Sequence, residues 1–216
     1  MSPHTRQAFL IGCGPKGRTH GTIEVMGSKA FNLARMAQIG ISVPAAFVLG
    51  TRHCAEFLAG GGTLSEETRA QIRSCTRQLE ECSGLGLGSP RRPLILSVRS
   101  GAPVSMPGML DSVLNVGLCD STLPGLLRLT GNPRLAWDSY RRFVKSFAEV
   151  VRGSGPEPFE HATREELRRV GTERLDDLDF RSVRSLTTRF LDVYAEVVGD
   201  PFPQSPADQL EAAVGA

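Results

Sequence analysis

Lysine is nearly missing from this chain: of its 25 basic residues only Lys16, Lys29 and Lys145 are lysines, and the other 22 are arginines. Net charge is also small, because 23 acidic residues leave a formal +2, so no whole-molecule field points to nucleic acid or a membrane surface. Long hydrophobic runs are absent. The longest uncharged stretch, 36–51, is broken by Gln38, Ser42 and Pro44 and falls short of the roughly 20 apolar residues a membrane helix needs. The apolar run before Cys13, residues 8–11, is too short for the core of an export signal and has only Arg6 ahead of it. Cysteine pattern is lacking too: five cysteines, an odd number without a C-x-x-C, signal neither a disulfide framework nor a zinc site. Reduced thiols in a cytoplasmic protein are the expectation. What is present is 216 residues with 40% hydrophobic content, enough for a packed core in one ordinary domain or two small ones.

Periodicity places the elements. Residues 8–11 read as an edge strand in an otherwise Gly-rich, polar opening. Ser28 as a cap, then Ala30, Phe31, Ala34 and Ala37 at helical spacing, with Gly40 as a stop, predict a helix over 28–39. An extended run over 43–49 and a short helix over 51–59 follow, and then a capping box, Thr63-x-x-Glu66, ahead of an amphipathic helix with Ile72, Cys75 and Leu79 on one face. Past a Gly/Pro-rich connector, 94–98 reads as a buried strand ended by Arg99, and 112–118 alternates as a second. The uncharged loop between them, 100–110, is a natural place for chemistry. From Thr122 onward the pattern is helical. Asn132 or Pro133 to Val151 carries the stripe Ala136, Tyr140, Phe143, Phe147 and Val150, Thr163-x-x-Glu166 opens a shorter helix, and Val183 to Val197 lines another closed by Gly199. A last helix starts at Ser205-Pro206. Strands before residue 120 and helices after it argue for an α+β fold, a small mixed sheet lobe followed by a helical lobe.

Few residues stand out as chemistry. Gly12-Cys13-Gly14-Pro15-Lys16-Gly17 has the letters of a dinucleotide fingerprint but no helix start behind it, and the Walker pattern is absent. Gly27-Ser28-Lys29 sits where a helix begins, so unpaired N–H groups, a hydroxyl and an ammonium can face one anion, phosphate being the natural guess. A solvated lysine at a helix start is the alternative. Arg99, after a buried strand, either pairs a carboxylate or presents a bidentate guanidinium to phosphate oxygens. His4, His20, His53 and His161 lie apart and are expected on the surface. Asp111 reads as a turn or strand-start aspartate, and Trp137 and Tyr140 as core. The arginines of the helical lobe, Arg141 among them, interleave with glutamates as on a solvated face.

The stretches Val25 to Met36, Ile39 to Val48, Leu96 to Leu118 and Trp137 to Phe143, with the closing Pro201-Phe202-Pro203-Gln204 and Gln209-Leu210-Glu211, resemble the N-terminal nucleotide-binding domain of the pyruvate, phosphate dikinases. The resemblance covers about residues 23–216. It implies a partial ATP-grasp-type domain from a cytoplasmic enzyme that interconverts ATP, phosphate and pyruvate with AMP, pyrophosphate and phosphoenolpyruvate. It implies that Lys29 and Arg99, with Gly27, Ser28, Ser100 and Gly101 beside them, contact the nucleotide phosphates, although Gly27-Ser28-Lys29-Ala30 stands where the family has Gly-Gly-Lys-Gly. The organisation it suggests is an N-terminal segment over 1–22, a phosphate-contacting lobe over 23–120, a helical lobe over 121–200 and the start of a further segment over 201–216. In the family the magnesium ligands, the phosphohistidine domain and the pyruvate-binding barrel lie outside the matched stretch. The expectation is therefore a chain that binds ATP, supplies no catalytic or metal-ligating residue, and is catalytically incomplete alone. Its partner would be a separately encoded remainder or a second copy, and no nucleic acid or membrane partner is expected. The alternative is a non-catalytic interaction or regulatory protein descended from the same fold.

Overall fold

The computed structural model describes residues 8–13, 21–100 and 112–216. His4, His20, Lys16, Gly101, Asp111 and the rest of the 101–110 segment lie outside them. The architecture among the described residues is α+β, with four strands in two two-stranded sheets and nine α-helices. Two units divide the chain: Met1–Leu85 with Arg99–Asp111, and Gly86–Val98 with Ser112–Val214.

In the first unit β1 (Ala8–Ile11) pairs antiparallel with β2 (Ala46–Leu49), Ala8 opposite Leu49 and Ile11 opposite Ala46. Phe9 and Ile11 point inward on the two-residue period of a strand and join Met26 and Ala34 in a small core, with Leu33, Ala37 and Val48 packed against it. The helices are α1 (Ile23–Met26), α2 (Ser28–Gln38), α3 (Thr51–Ala59) and α4 (Glu66–Ser83). The face of α4 read from the sequence, Ile72, Cys75 and Leu79, is buried, and α4 packs on both strands. Three expectations are corrected here. Ser28 is the first helical residue of α2, not its cap; the capping position belongs to Gly27. α4 is capped by Ser65, whose Oγ accepts the Thr68 N–H at 3.2 Å, so the box predicted at Thr63 lies two residues too early. His53 is buried, not on the surface, because its ring packs between α3 and α4 with Nδ1 2.9 Å from the Thr68 hydroxyl.

The second unit contains β3 (Leu96–Arg99) up to Val98, β4 (Ser112–Val116), α5 (Leu123–Thr130), α6 (Pro133–Arg152), α7 (Glu157–Val170), α8 (Phe180–Val198) and α9 (Pro206–Val214). Its axis is α6, which packs on α8, β4, α5 and α9. Tyr140, Phe143 and Phe147 of the predicted stripe are fully buried. Phe202 inserts among them, ring edge to ring face with Tyr140, Phe143, Phe147 and Tyr194 at centroid distances of 6.0, 5.4, 5.5 and 5.1 Å. Polar bonds fasten the same segment. The buried Gln209 amide accepts from Gly117 N–H at 2.9 Å and donates to the carbonyls of Leu118 and Pro203 at 2.9 and 2.7 Å.

Corrections apply here as well. α7 opens at Glu157, and Thr163, read as a cap, sits mid-helix with its hydroxyl donating to the Phe159 carbonyl. Arg141 is buried, held by Asp138 at 2.7 Å and stacked over the Phe190 ring, so it is packing, not solvated surface. The alternation read over 112–118 is broken: Val113 and Val116 are both buried although three residues apart, because Asn115 takes a left-handed backbone at φ +64° and shifts the phase.

Candidate functional site

Gly27 joins α1 to α2. Its N–H closes α1 on the Ile23 carbonyl at 2.8 Å, and its carbonyl accepts the Phe31 N–H at 3.0 Å, opening α2. The turn between those bonds requires φ +79° with ψ 156°, a region that essentially only glycine occupies. Thr51, at the head of α3, donates its hydroxyl to the Glu24 carbonyl at 3.1 Å and so braces α1 from outside. Glu24 lies in the first turn of α1. The Thr22 side chain and Glu24's own backbone N–H hydrogen-bond its carboxylate and hold it below the usual glutamate range.

The consequence is an uncompensated positive end. The first turn of α2 contains no acidic residue, and no side chain caps it. Lys29 stands exposed in that turn, and among the described residues no hydrogen bond or ion pair engages its ammonium. A cation at the positive end of a helix dipole is the unfavourable sign for helix stability. An anion drawn to Lys29 and to the N-terminal N–H groups removes that conflict, which is the electrostatics of a phosphate site at a helix start.

The second group is Arg99 with Ser100. Along β3 the half-buried Leu96 and Val98 alternate with the exposed Ser97 and Arg99, so Arg99 is the last strand residue and shares the outward face with Ser97. The sequence reading had the strand stop before it. Among the described residues no carboxylate pairs Arg99. The candidates thus fall into two clusters, Gly27-Ser28-Lys29 at a helix start and Arg99-Ser100 at a strand end, and Gly101 lies outside the described residues. What sequence reasoning missed is the bracing role of Thr51; its only signal was a helix start after Gly50. Among the described residues no group of three or more His, Cys, Asp or Glu could hold a metal ion, and no helix is long and apolar enough to cross a membrane.

No protein-family model matches the chain. Curated proteins do. Pyruvate, phosphate dikinase 2 of Zea mays is 40% identical over 210 residues, 97% of this chain and 24% of the relative. Pyruvate, phosphate dikinase of Rhizobium meliloti (strain 1021) is 40% identical over 208 residues, 96% of this chain and 23% of the relative. Chloroplastic pyruvate, phosphate dikinase 1 of Oryza sativa subsp. japonica is 40% identical over 209 residues, 97% of this chain and 22% of the relative. The chain is therefore a sequence relative of the pyruvate, phosphate dikinases along nearly its whole length, and it spans about a quarter of theirs.

Proposed function

We propose that this relative of the dikinases supplies phosphate-contacting residues to the ATP site of an ATP-grasp-type phosphotransferase of pyruvate metabolism. Lys29, with the N–H groups of the α2 start, takes one part of the polyphosphate, and Arg99 with Ser100 takes another through its planar fork. The observation that carries this reading is the ammonium of Lys29 at a helix start with neither an acidic residue nor a cap in its first turn. Phosphoryl transfer depends mainly on positioning and on charge neutralisation around the transferred group, which is the work such residues do. The reading assigns binding and neutralisation to this chain and assigns it no catalytic residue. Magnesium would reach the site with the nucleotide phosphates, since the described carboxylates form no cluster for it.

The test is thermal unfolding with and without ATP. A ligand at about 100 times its Kd adds about 2.7 kcal/mol to the stability of the state that binds it, so ATP should raise the Tm. Lys29→Ala and Arg99→Ala should each weaken the effect, since one charge-assisted hydrogen bond contributes about 1.5–3 kcal/mol. Absence of any ATP-dependent shift in the parent protein would reject the nucleotide reading and leave the non-catalytic interaction role.

A further inference from the structure

Cys82 lies exposed in the last turn of α4, and Cys13 follows β1 by two residues, half-buried. The two come from distant parts of the chain, yet the Cys82 thiol donates to the carbonyl of Gly12, 70 positions away, across 3.9 Å. Cys13 directly follows Gly12, so this contact brings the Cys82 sulfur to the turn that carries Cys13. Both are presented on fixed backbone. Gly12 turns at φ +72° and is pressed against the stretch entering β2: a Cβ there would meet the carbonyl oxygens of Pro44 and Val43 at 3.0 and 3.1 Å. On the other side, Cys75 and Leu79 bury the end of α4, and the Ser83 hydroxyl donates to the Leu79 carbonyl at 2.7 Å. The remaining cysteines have other surroundings. Cys54 is exposed on α3, Cys75 is buried beside Gln71, and Cys119 is buried among the hydroxyls of Ser121 and Thr122.

We propose that Cys13 and Cys82 form a redox-closable pair, oxidised by a low-molecular-weight disulfide to an intramolecular bond that ties β1 to α4. The chemistry is two thiol–disulfide exchanges. Cys82 Sγ gives up its proton and attacks one sulfur of the small disulfide; an S–S bond forms to Cys82 and one small thiol leaves. Cys13 Sγ then attacks Cys82 Sγ in that mixed disulfide, loses its proton, and releases the second small thiol. Two protein thiols are oxidised and one small disulfide is reduced to two thiols. The order follows from access and charge. Burial first, and then the hydrogen-bonding and charge interaction with Cys82, push the Cys13 thiol up to about 12, so it keeps its proton while the exposed Cys82 sulfur attacks.

The experiment treats the whole folded chain with oxidised glutathione and maps its cysteines by peptide mass without reduction. The expected result is one bond joining the Cys13 peptide to the Cys82 peptide, reopened by dithiothreitol, with Cys54 carrying at most a single glutathione. Because the bond closes a long loop that includes α1 to α4, the oxidised protein should melt at least about 5 °C higher. In Cys82→Ser that rise should vanish while the reduced melting temperature stays unchanged. Stable glutathione on Cys82 beside a free Cys13 thiol, pairing of either cysteine with a third, or no reaction at Cys13 and Cys82 would each overturn the proposal. Mapping of the parent protein decides the matter even if a variant fails to fold.

Discussion

Lys29 is a residue retained against local stability. Its charge opposes the dipole of α2, and no acidic residue in the first turn relieves it. Lys29→Glu should therefore stabilise the ligand-free protein by about 0.3–1 kcal/mol while abolishing the ATP-dependent Tm shift. A merely solvated lysine would give the first effect without the second, so the pair of measurements separates the two readings left open by spacing alone. Asn115 is a second residue whose identity is set by backbone, at φ +64° inside β4 with its side-chain amide donating to the Ser139 carbonyl at 3.4 Å. Left-handed backbone costs a non-glycine residue about 1–2 kcal/mol, least for asparagine and most for a β-branched side chain. Asn115→Val should accordingly lower stability in urea by about 1–2 kcal/mol more than Asn115→Gly. Neither site was fully legible from sequence. Lys29 was found by its place before a helix, whereas Asn115 was read as an ordinary strand residue because nothing local marks a phase shift.

Helix boundaries were legible where the signal was a backbone requirement and less so where it was a side-chain option. Gly84, Gly131, Gly153, Gly171 and Gly199 all end helices with left-handed backbone, and two of those ends, at Gly171 and Gly199, follow directly from the pattern of apolar residue, then glycine. Caps were harder, because serine, threonine and aspartate recur near every start. The cap of α8 is Asp179, whose carboxylate accepts the Ser182 N–H at 2.8 Å. That backbone bond first, and the Ser182 side chain after it, hold its pKa below the ordinary value of 3.8. A lowered carboxyl contributes stability that is present above the unfolded-state value and is lost as pH falls through the folded-state value. Asp179→Asn keeps a capping oxygen without the titration. The parent should therefore lose stability more steeply than Asp179→Asn as pH drops below 3.8, measured by urea unfolding at successive pH values; parallel curves would remove Asp179 from the acid response.

At the scale of the molecule, residues distant in sequence are joined where the C-terminal segment returns to the helical unit. Phe202 meets four aromatic rings, and Gln209 satisfies three backbone groups at 117, 118 and 203. Phe202→Ala should cost about 3–5 kcal/mol, a lost transfer term plus a cavity among rings that cannot collapse. A loss below about 1 kcal/mol in denaturant unfolding would mean that the aromatic cluster is not the core of the second unit.

By itself the sequence determined the α+β class, most element positions, the kinship with the dikinases and the two cations worth testing, since periodicity, glycine and proline chemistry and motif identity are local properties. Tertiary structure alone decided that His53 and Arg141 are buried, that Phe202 and Gln209 close the second unit, and that Cys82 reaches the turn of Gly12 and Cys13. Each of these depends on which distant surface a side chain encounters, and spacing along the chain carries no record of that encounter.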